Sequence, residues 1–172
     1  MKKYIFREFD FGAWLRALKS PAARKKYHVE ETLRGILVPA RVASKKFQEI
    51  ILTTPQSKGI FFNGNPKKLS EAKTVAKAFA DAKRSDPLVI YLTIPKQEIK
   101  ARLLLRRRSD DAEEYFKNRI KYYNDDIRPM VNYFKTRYKV VTISGLGTEN
   151  EVFQRMTKAI EDYRRIMSKG QG

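Results

Sequence analysis

The sequence predicts an α/β fold, a parallel sheet flanked by helices, and three observations carry that prediction. Short runs of β-branched and aromatic residues recur along the chain, each run stops at a turn signal, and stretches with the apolar period of a helix lie between them. Strands that alternate with helices form parallel βαβ units, in which ligands bind beyond the carboxyl ends of the strands.

Three runs read as buried strands: Gly59-Ile60-Phe61-Phe62, stopped by Asn63-Gly64; Leu88 to Ile94, stopped by Pro95; and Val140-Val141-Thr142-Ile143, stopped by Ser144-Gly145. A fourth, less regular candidate is Ile5 to Phe11. Helical patterns cover Ala13 to Leu18, Ala22 to Arg34, Ala40 to Leu52 and Leu69 to Lys83; in the last, Leu69, Ala72, Val75, Ala76 and Phe79 share one face. The longest helix is expected from about Asp111 to Arg137, because Phe116, Ile120, Tyr123, Ile127, Met130 and Phe134 repeat at steps of four and three. Asp110 with Glu113 fits a capping box at its start, and Pro129 should kink it by removing a backbone donor and crowding the preceding turn. A final helix, roughly Glu149 to Met167, is expected to bury Val152, Phe153, Met156 and Ile160, with the tail fraying after Ser168. No repeat, low-complexity tract or linker divides the chain, so one compact unit is expected.

Composition excludes several classes. The 42% hydrophobic content of 172 residues suffices for a proper core. With 37 Lys+Arg against 19 Asp+Glu, the net charge of +18 implies affinity for polyanions, whether nucleotides, RNA or an anionic membrane surface. The absence of cysteine rules out a disulfide framework, a thiolate zinc site and a cysteine nucleophile, and makes a reducing cytoplasm the natural location. No apolar run approaches a membrane span, and the start at Met1 turns charged too early for a secretory signal, so a soluble protein without a membrane partner is expected. Neither a Ser-His-Asp arrangement nor a metal-ligand cluster is present. His28, the only histidine, reads as a solvated residue on a surface helix, and Trp14 as a core residue. Tyr115, Tyr122, Tyr123, Tyr133 and Tyr138 interleave with Lys and Arg and could stack single-stranded RNA, although their spacing fits packing better.

The most distinctive stretch is Arg102-Leu103-Leu104-Leu105-Arg106-Arg107-Arg108-Ser109-Asp110-Asp111, followed by Arg119. It sets guanidiniums, whose rigid forks match phosphate oxygens, beside a carboxylate pair able to orient them, which suits phosphoryl transfer. Taken alone, it reads equally well as a solvated charged turn between two helices.

In company with other segments, that stretch resembles the adenylate kinase family of nucleoside monophosphate kinases, over about Lys3 to Tyr163. Asp10-Phe11-Gly12-Ala13-Trp14-Leu15-Arg16-Ala17 is similar to the family's Ser-Thr-Gly-Asp-x-Leu-Arg-Ala, and Arg34-Gly35-Ile36-Leu37-Val38-Pro39 to its Gly-x-Leu-Val-Pro loop. Gly59 to Lys67 resembles Gly-Phe-x-x-Asp-Gly-Phe-Pro-Arg, and Arg108-Ser109-Asp110-Asp111 the Arg-x-Asp-Asp segment beside the lid. Gly145-Leu146-Gly147-Thr148 resembles the loop near the donor adenine. The resemblance implies a P-loop-kinase-like parallel sheet in a single domain: residues of about 12–58 as acceptor-nucleotide helices, 59–105 as core, 106–110 as a minimal lid, and 111–167 as core helices and last strand.

It also implies roles. Arg16 would hold the acceptor monophosphate, Leu37, Val38 and Gly64 would lie near its base and ribose, and Lys67 stands where an arginine usually meets its phosphate. Glu71 replaces a base-reading glutamine in the acceptor site. Arg102 and Arg106 would meet the donor nucleotide, with Gly147 near its base; Arg106, Arg108 and Arg119 would clamp the phosphoryl group in flight, held by Asp110 and Asp111. Magnesium would come with ATP, and Asn63 stands in place of the aspartate that orients its water. ATP and AMP, or another monophosphate, are the implied partners, RNA is a further partner through the basic surface, and a monomer is expected.

The departures are substantial. No Gly-Lys dipeptide occurs, so the Gly-x-x-x-x-Gly-Lys P-loop is absent, and with it the strand before it and most of the following helix, on the order of two dozen residues. In the family's strand order 2-3-1-4-5 that strand is the central one. The strands at Phe61 and Ile90 would then each present an unpaired edge, at about 1 to 3 kcal/mol per buried unpaired group. Three explanations stand: an internal Met1 in a longer kinase, another segment or chain filling the slot, or a degenerate pseudoenzyme; the matched remainder favours the first. Weak or no activity is expected of these residues by themselves. The alternative reading is a non-catalytic, basic RNA- or ribonucleoprotein-binding protein on the same scaffold.

Overall fold

A computed structural model describes residues 6–106 and 113–169. The elements run β1 (Phe6–Asp10), α1 (Phe11–Ala17), α2 (Pro21–Lys26), α3 (Val29–Leu33), α4 (Ala40–Thr53), β2 (Gly59–Asn63), α5 (Leu69–Asp81), β3 (Val89–Thr93), α6 (Lys96–Arg106), α7 (Glu113–Tyr122), a π-helical turn (Tyr123–Ile127), α8 (Arg128–Lys135), β4 (Val140–Ser144) and α9 (Glu149–Lys169). The four expected strands all form, and they pair in parallel two by two: β1 with β2 from Phe6 opposite Gly59 to Asp10 opposite Asn63, and β3 with β4 from Val89 opposite Val140 to Thr93 opposite Ser144. Where composition predicts one compact unit, the chain packs as two, one drawn from Met1–Ser85 and Arg108–Tyr133, the other from Asp86–Arg107 and Phe134–Gly172.

In the first unit, α4 lays Ala43, Phe47, Ile50 and Ile51 inward, and Phe47 and Ile51 are wholly buried. They meet Phe9, Phe11, Leu15, Val29 and Val38, and α4 packs along α5, whose Ala72, Val75, Ala76 and Ala78 are buried. Edge-to-face rings knit this core, with Phe9 on Phe62 at 6.3 Å and Phe47 on Phe62 at 5.5 Å. Two arginines close the end of α4: Arg7 Nη1 donates to Thr53 Oγ1 (2.9 Å) and Thr54 Oγ1 (3.0 Å), and Arg84 Nη1 to the Thr54 carbonyl (2.9 Å). Guanidinium at a helix C-terminus satisfies orphan carbonyls and complements the dipole.

In the second unit the β3–β4 pair is extended by Gly145 N–H donating to the Thr93 carbonyl at 2.9 Å, and α9 packs on β4. Tyr163 Oη, on α9, donates to the Asp86 carbonyl at 2.9 Å, fixing the approach to β3.

Five expectations need correction. The helix read from Ala22 to Arg34 is two helices, α2 and α3, parted at Tyr27 and His28, the latter at φ 55°. His28 is therefore a left-handed N-cap, half-buried, with Nδ1 3.4 Å from Glu31 Oε1, rather than a residue on a helix face. The long helix up to Arg137 is broken by the π turn, where Arg128 N–H reaches back to the Tyr123 carbonyl; Pro129 offers no N–H, and the wider turn re-pairs the ladder just before it. That extra residue shifts the apolar stripe, so Met130 and Phe134 stay buried while Tyr123 is 39% exposed. The three strands read as buried are mostly half-buried, with Leu92 exposed, because in a two-stranded sheet every strand is an edge. Phe153, expected inside, is 47% exposed on α9.

Candidate functional site

β1 and β2 end side by side at Asp10 and Asn63, and the residues after each strand build the site. Asp10 Oδ1 accepts from Ala13 N–H at 2.8 Å, the N-cap of α1, while Oδ2 lies 3.5 Å from Asn63 Nδ2. One carboxylate thus fixes the helix start and faces the end of the neighbouring strand. Arg16 follows on α1, its guanidinium lying over Gly12, where a Cβ would stand 3.1 Å from Nη1. Arg16 is exposed, with no hydrogen-bond or ion-pair partner among the described residues. A guanidinium left unpaired beyond the carboxyl end of a parallel pair is available to a phosphate.

On the β2 side the chain turns at Gly64, whose φ of 66° is left-handed and whose missing side chain leaves open space within 4 Å. Asn65 Nδ2 donates to the Asn63 carbonyl at 3.0 Å, and a cis peptide joins Asn65 to Pro66. Lys67 and Lys68 then donate their backbone N–H groups to one oxygen of Glu71, at 2.9 and 3.2 Å. Glu71 is only 3% exposed and sits in the first turn of α5, so its carboxylate serves the helix start and fixes the backbone at Lys67. Burial pushes the Glu71 carboxyl up, and the two N–H donors act against that shift. The resemblance implied base reading for Glu71; the geometry engages it inside, on backbone. The Lys67 ammonium lies 5.8 Å from the centre of the Tyr122 ring.

α7 closes on the same unit through Asn118, whose Nδ2 donates to the Arg34 carbonyl at 2.9 Å. That bond anchors α7, on whose backbone Arg119 lies, to the turn leading into Leu37 and Val38. Val38 is buried in the core, and Leu37 is half-buried. Around Asn63, no group of three or more His, Cys, Asp or Glu able to hold a metal ion occurs among the described residues.

In the second unit the Gly145 to Thr148 loop opens α9 with a reciprocal cap. Thr148 N–H and Oγ1 donate to Glu151 Oε2 at 2.6 and 2.9 Å, and Glu151 N–H reaches back to Thr148 Oγ1 at 3.3 Å. Those donors hold the Glu151 carboxyl below its usual range. Gly147, at φ 95°, makes the turn, and the Arg155 guanidinium donates to the Leu146 carbonyl. Arg102 is paired on its own helix, Nε to Glu98 Oε1 at 2.6 Å. Arg106 ends α6, and Arg119 lies within α7; their side chains, with all of Arg108, Asp110 and Asp111, the rest of the expected lid and the Asp110–Glu113 cap, lie outside the described residues.

The structure therefore brings Arg16, Asn63, Gly64 and Lys67 to one sheet end, and sets Arg102 and Gly147 in the other unit. Sequence reasoning gave Asp10 and Asn118 no role of their own and read Tyr122 only as a packing or RNA-stacking residue, since their partners lie 53, 84 and 55 residues away. A hollow of about 650 Å³ between α2 and α3, lined by residues such as Arg24, His28 and Glu30, includes none of the residues to which the resemblance gives a nucleotide-binding or catalytic role.

No protein-family model matches the chain. Curated relatives do. The adenylate kinase of Bacteroides thetaiotaomicron is 26% identical over 166 residues, which span 94% of this chain and 88% of that protein. The adenylate kinase of Parabacteroides distasonis is 27% identical over 169 residues, 95% and 89% of the two chains. That of Porphyromonas gingivalis is 26% identical over 171 residues, 96% and 88%.

Proposed function

The chain belongs to the adenylate kinase family, and on that premise we propose that it is a phosphotransferase catalysing ATP + AMP ⇌ 2 ADP. The observation that carries this reading is the unpaired Arg16 beyond β1, beside the Asn63–Gly64 turn that ends β2. Arg16 takes the acceptor phosphate bidentately, Lys67 adds a point charge, and Gly64 leaves room for the sugar, with Leu37 and Val38 walling the base. Asp10 keeps Arg16 in register with the β2 turn, and Glu71 does so for Lys67. By the same resemblance, Arg102 and Gly147 are assigned to the donor nucleotide, and Arg106, Arg108 and Arg119, with Asp110 and Asp111, to the transferred phosphoryl group.

Magnesium, arriving with ATP, would neutralise charge on the donor phosphates. The donor set fits water-mediated holding: Asn63 turns its amide nitrogen toward Asp10, leaving Oδ1 as an acceptor for a metal-bound water. The strand pairing supports the reading too, since β1–β2 and β3–β4 are the pairs that the order 2-3-1-4-5 leaves once strand 1 is taken out. Without a Gly-Lys loop among the 172 residues, the donor phosphates lack their usual cradle, and weak or no turnover is expected of these residues alone.

Two measurements test this. AMP titration of the chain, read by the fluorescence of Trp14, its only tryptophan, should show saturable binding, with Arg16→Ala raising Kd about 10- to 100-fold. A coupled ADP-formation assay, run on the chain alone and on the chain supplied with a Gly-x-x-x-x-Gly-Lys strand-loop-helix segment at its N-terminus, should show turnover in the second case. Absence of turnover with every monophosphate in both would overturn the reading.

A further inference from the structure

The excess positive charge is not spread evenly. Residues 11–58 carry ten Lys and Arg against three Glu, a net +7 in little more than a quarter of the chain. Every one of those acids is already engaged: Glu30 by Arg24 at 2.6 Å, Glu31 by His28 at 3.4 Å, and Glu49 by Lys46 at 2.6 Å. Lys19, Lys25, Arg41 and Lys45, all exposed, have no hydrogen-bond or ion-pair partner through their side chains among the described residues. An acceptor monophosphate needs one or two cations, and Arg16 and Lys67 already supply them. The surplus suits a ligand with many phosphates.

A second feature of the same helices specifies the ligand further. Trp14 of α1 and Tyr27 at the end of α2 meet edge to face at 4.8 Å, both half-buried. Lys46 of α4 stands 5.1 Å from the centre of the Trp14 ring, and Lys26 stands 5.2 Å from that of Tyr27. Two ammonium groups thus bracket an aromatic pair, and unpaired cations continue along α2 at Lys25 and along α4 at Lys45 and Arg41. Cations that track a phosphate backbone beside partly open rings are what single-stranded nucleic acid requires, and every base has a face that can stack. An anionic bilayer would call for several exposed apolar anchors among these cations, and across α1, α2 and α4 only Leu52, in the last turn of α4, is a large hydrophobic side chain among the exposed ones.

From this we infer that the face formed by α1, α2 and α4 binds the phosphate backbone of single-stranded nucleic acid, without base-sequence preference. The binding is independent of nucleotide turnover and is read on the full chain whether or not it is active.

The test is fluorescence polarisation with a labelled oligouridylate of about 16 nucleotides over a salt series. With about five phosphates neutralised, log K should fall with log salt at a slope of about −3.5, a loss of roughly 100-fold between about 50 and 200 mM. The triple variant Lys25→Ala, Arg41→Ala, Lys45→Ala should flatten the slope by about 2. A charge-matched control, Lys96→Ala, Lys139→Ala, Lys158→Ala, removes three exposed lysines from the other unit and should leave it unchanged. Circular dichroism of both variants confirms that folding is kept. The inference fails if no oligonucleotide binds at the lowest salt, if both triple variants lose affinity equally, or if anionic phosphatidylserine vesicles bind through this face and the oligonucleotide does not. Equal binding of a DNA oligomer supports backbone recognition; a strong preference for one base sequence overturns it.

Discussion

Replacing Glu71 by alanine should damage the fold at the point where it carries Lys67. The carboxylate is 3% exposed and accepts two backbone N–H groups, from Lys67 at 2.9 Å and Lys68 at 3.2 Å. Alanine leaves both donors without their partner in a place water reaches poorly, at about 1 to 3 kcal/mol each at full burial. Lys67 and Lys68 are half-buried, so the lower end applies, and about 2 to 4 kcal/mol is expected in all, including the lost cap. For a chain of this size that lowers Tm by roughly 5 to 12 °C. Glu71→Gln keeps an acceptor of the same shape and should recover most of the loss. The pH dependence separates the two roles of the group. Burial raises the folded-state pKa of Glu71 above its ordinary value of 4.5, so the folded chain binds the proton more tightly than the unfolded chain. Its contribution is therefore fully present below the unfolded pKa and is lost as pH rises through the folded one. Thermal melts followed by circular dichroism, from acid to neutral pH, should show that slope in the parent chain and not in Glu71→Gln. A Glu71→Ala variant melting within 1 °C of the parent, or a glutamine variant as damaged as alanine, would refute the reasoning.

Thr148→Ala removes the hydroxyl half of the cap at α9 and should cost about 1 kcal/mol in a denaturant titration. Glu151, held low by Thr148, acts in the opposite sense to Glu71: its contribution is present above the ordinary carboxylate pKa and lost as pH falls, so Glu151→Gln should lessen the loss of stability on acidification. At Gly59 an added Cβ runs into the Phe6 ring, so Gly59→Ala should destabilise by about 1 kcal/mol in the parent chain and by little in a Phe6→Ala background. A double-mutant cycle measures that difference; equal costs in both backgrounds would show that the ring is not the obstacle.

Much of the architecture was legible because it rests on local pattern. The runs at Gly59, Leu88 and Val140 became strands within a residue or two of their expected ends, as turn residues bound them. The face of α5 was readable from its period, and Ala72, Val75 and Ala76 are indeed buried. Two signals were present and not weighed. Lys25-Lys26 before Tyr27 and Glu30-Glu31 after His28 place basic residues at one helix end and acids at the next start, which marks the break between α2 and α3. Thr148-x-x-Glu151 spells the cap of α9. The π turn was half-legible: Pro129 announced a disturbance, and the backbone placed it upstream, where the missing donor had to be compensated.

The sequence by itself determined the alternation of strand and helix, the basic charge and the order of motifs, because each depends on residues near one another in the chain. Tertiary structure decided the rest. Asp10 facing Asn63, Asn118 on the Arg34 carbonyl and Glu71 turned inward all depend on which carboxylate or amide meets which backbone group once distant segments pack. The half-exposure of apolar strands was settled the same way, by how many neighbours each strand has, a number that no stretch of sequence encodes locally.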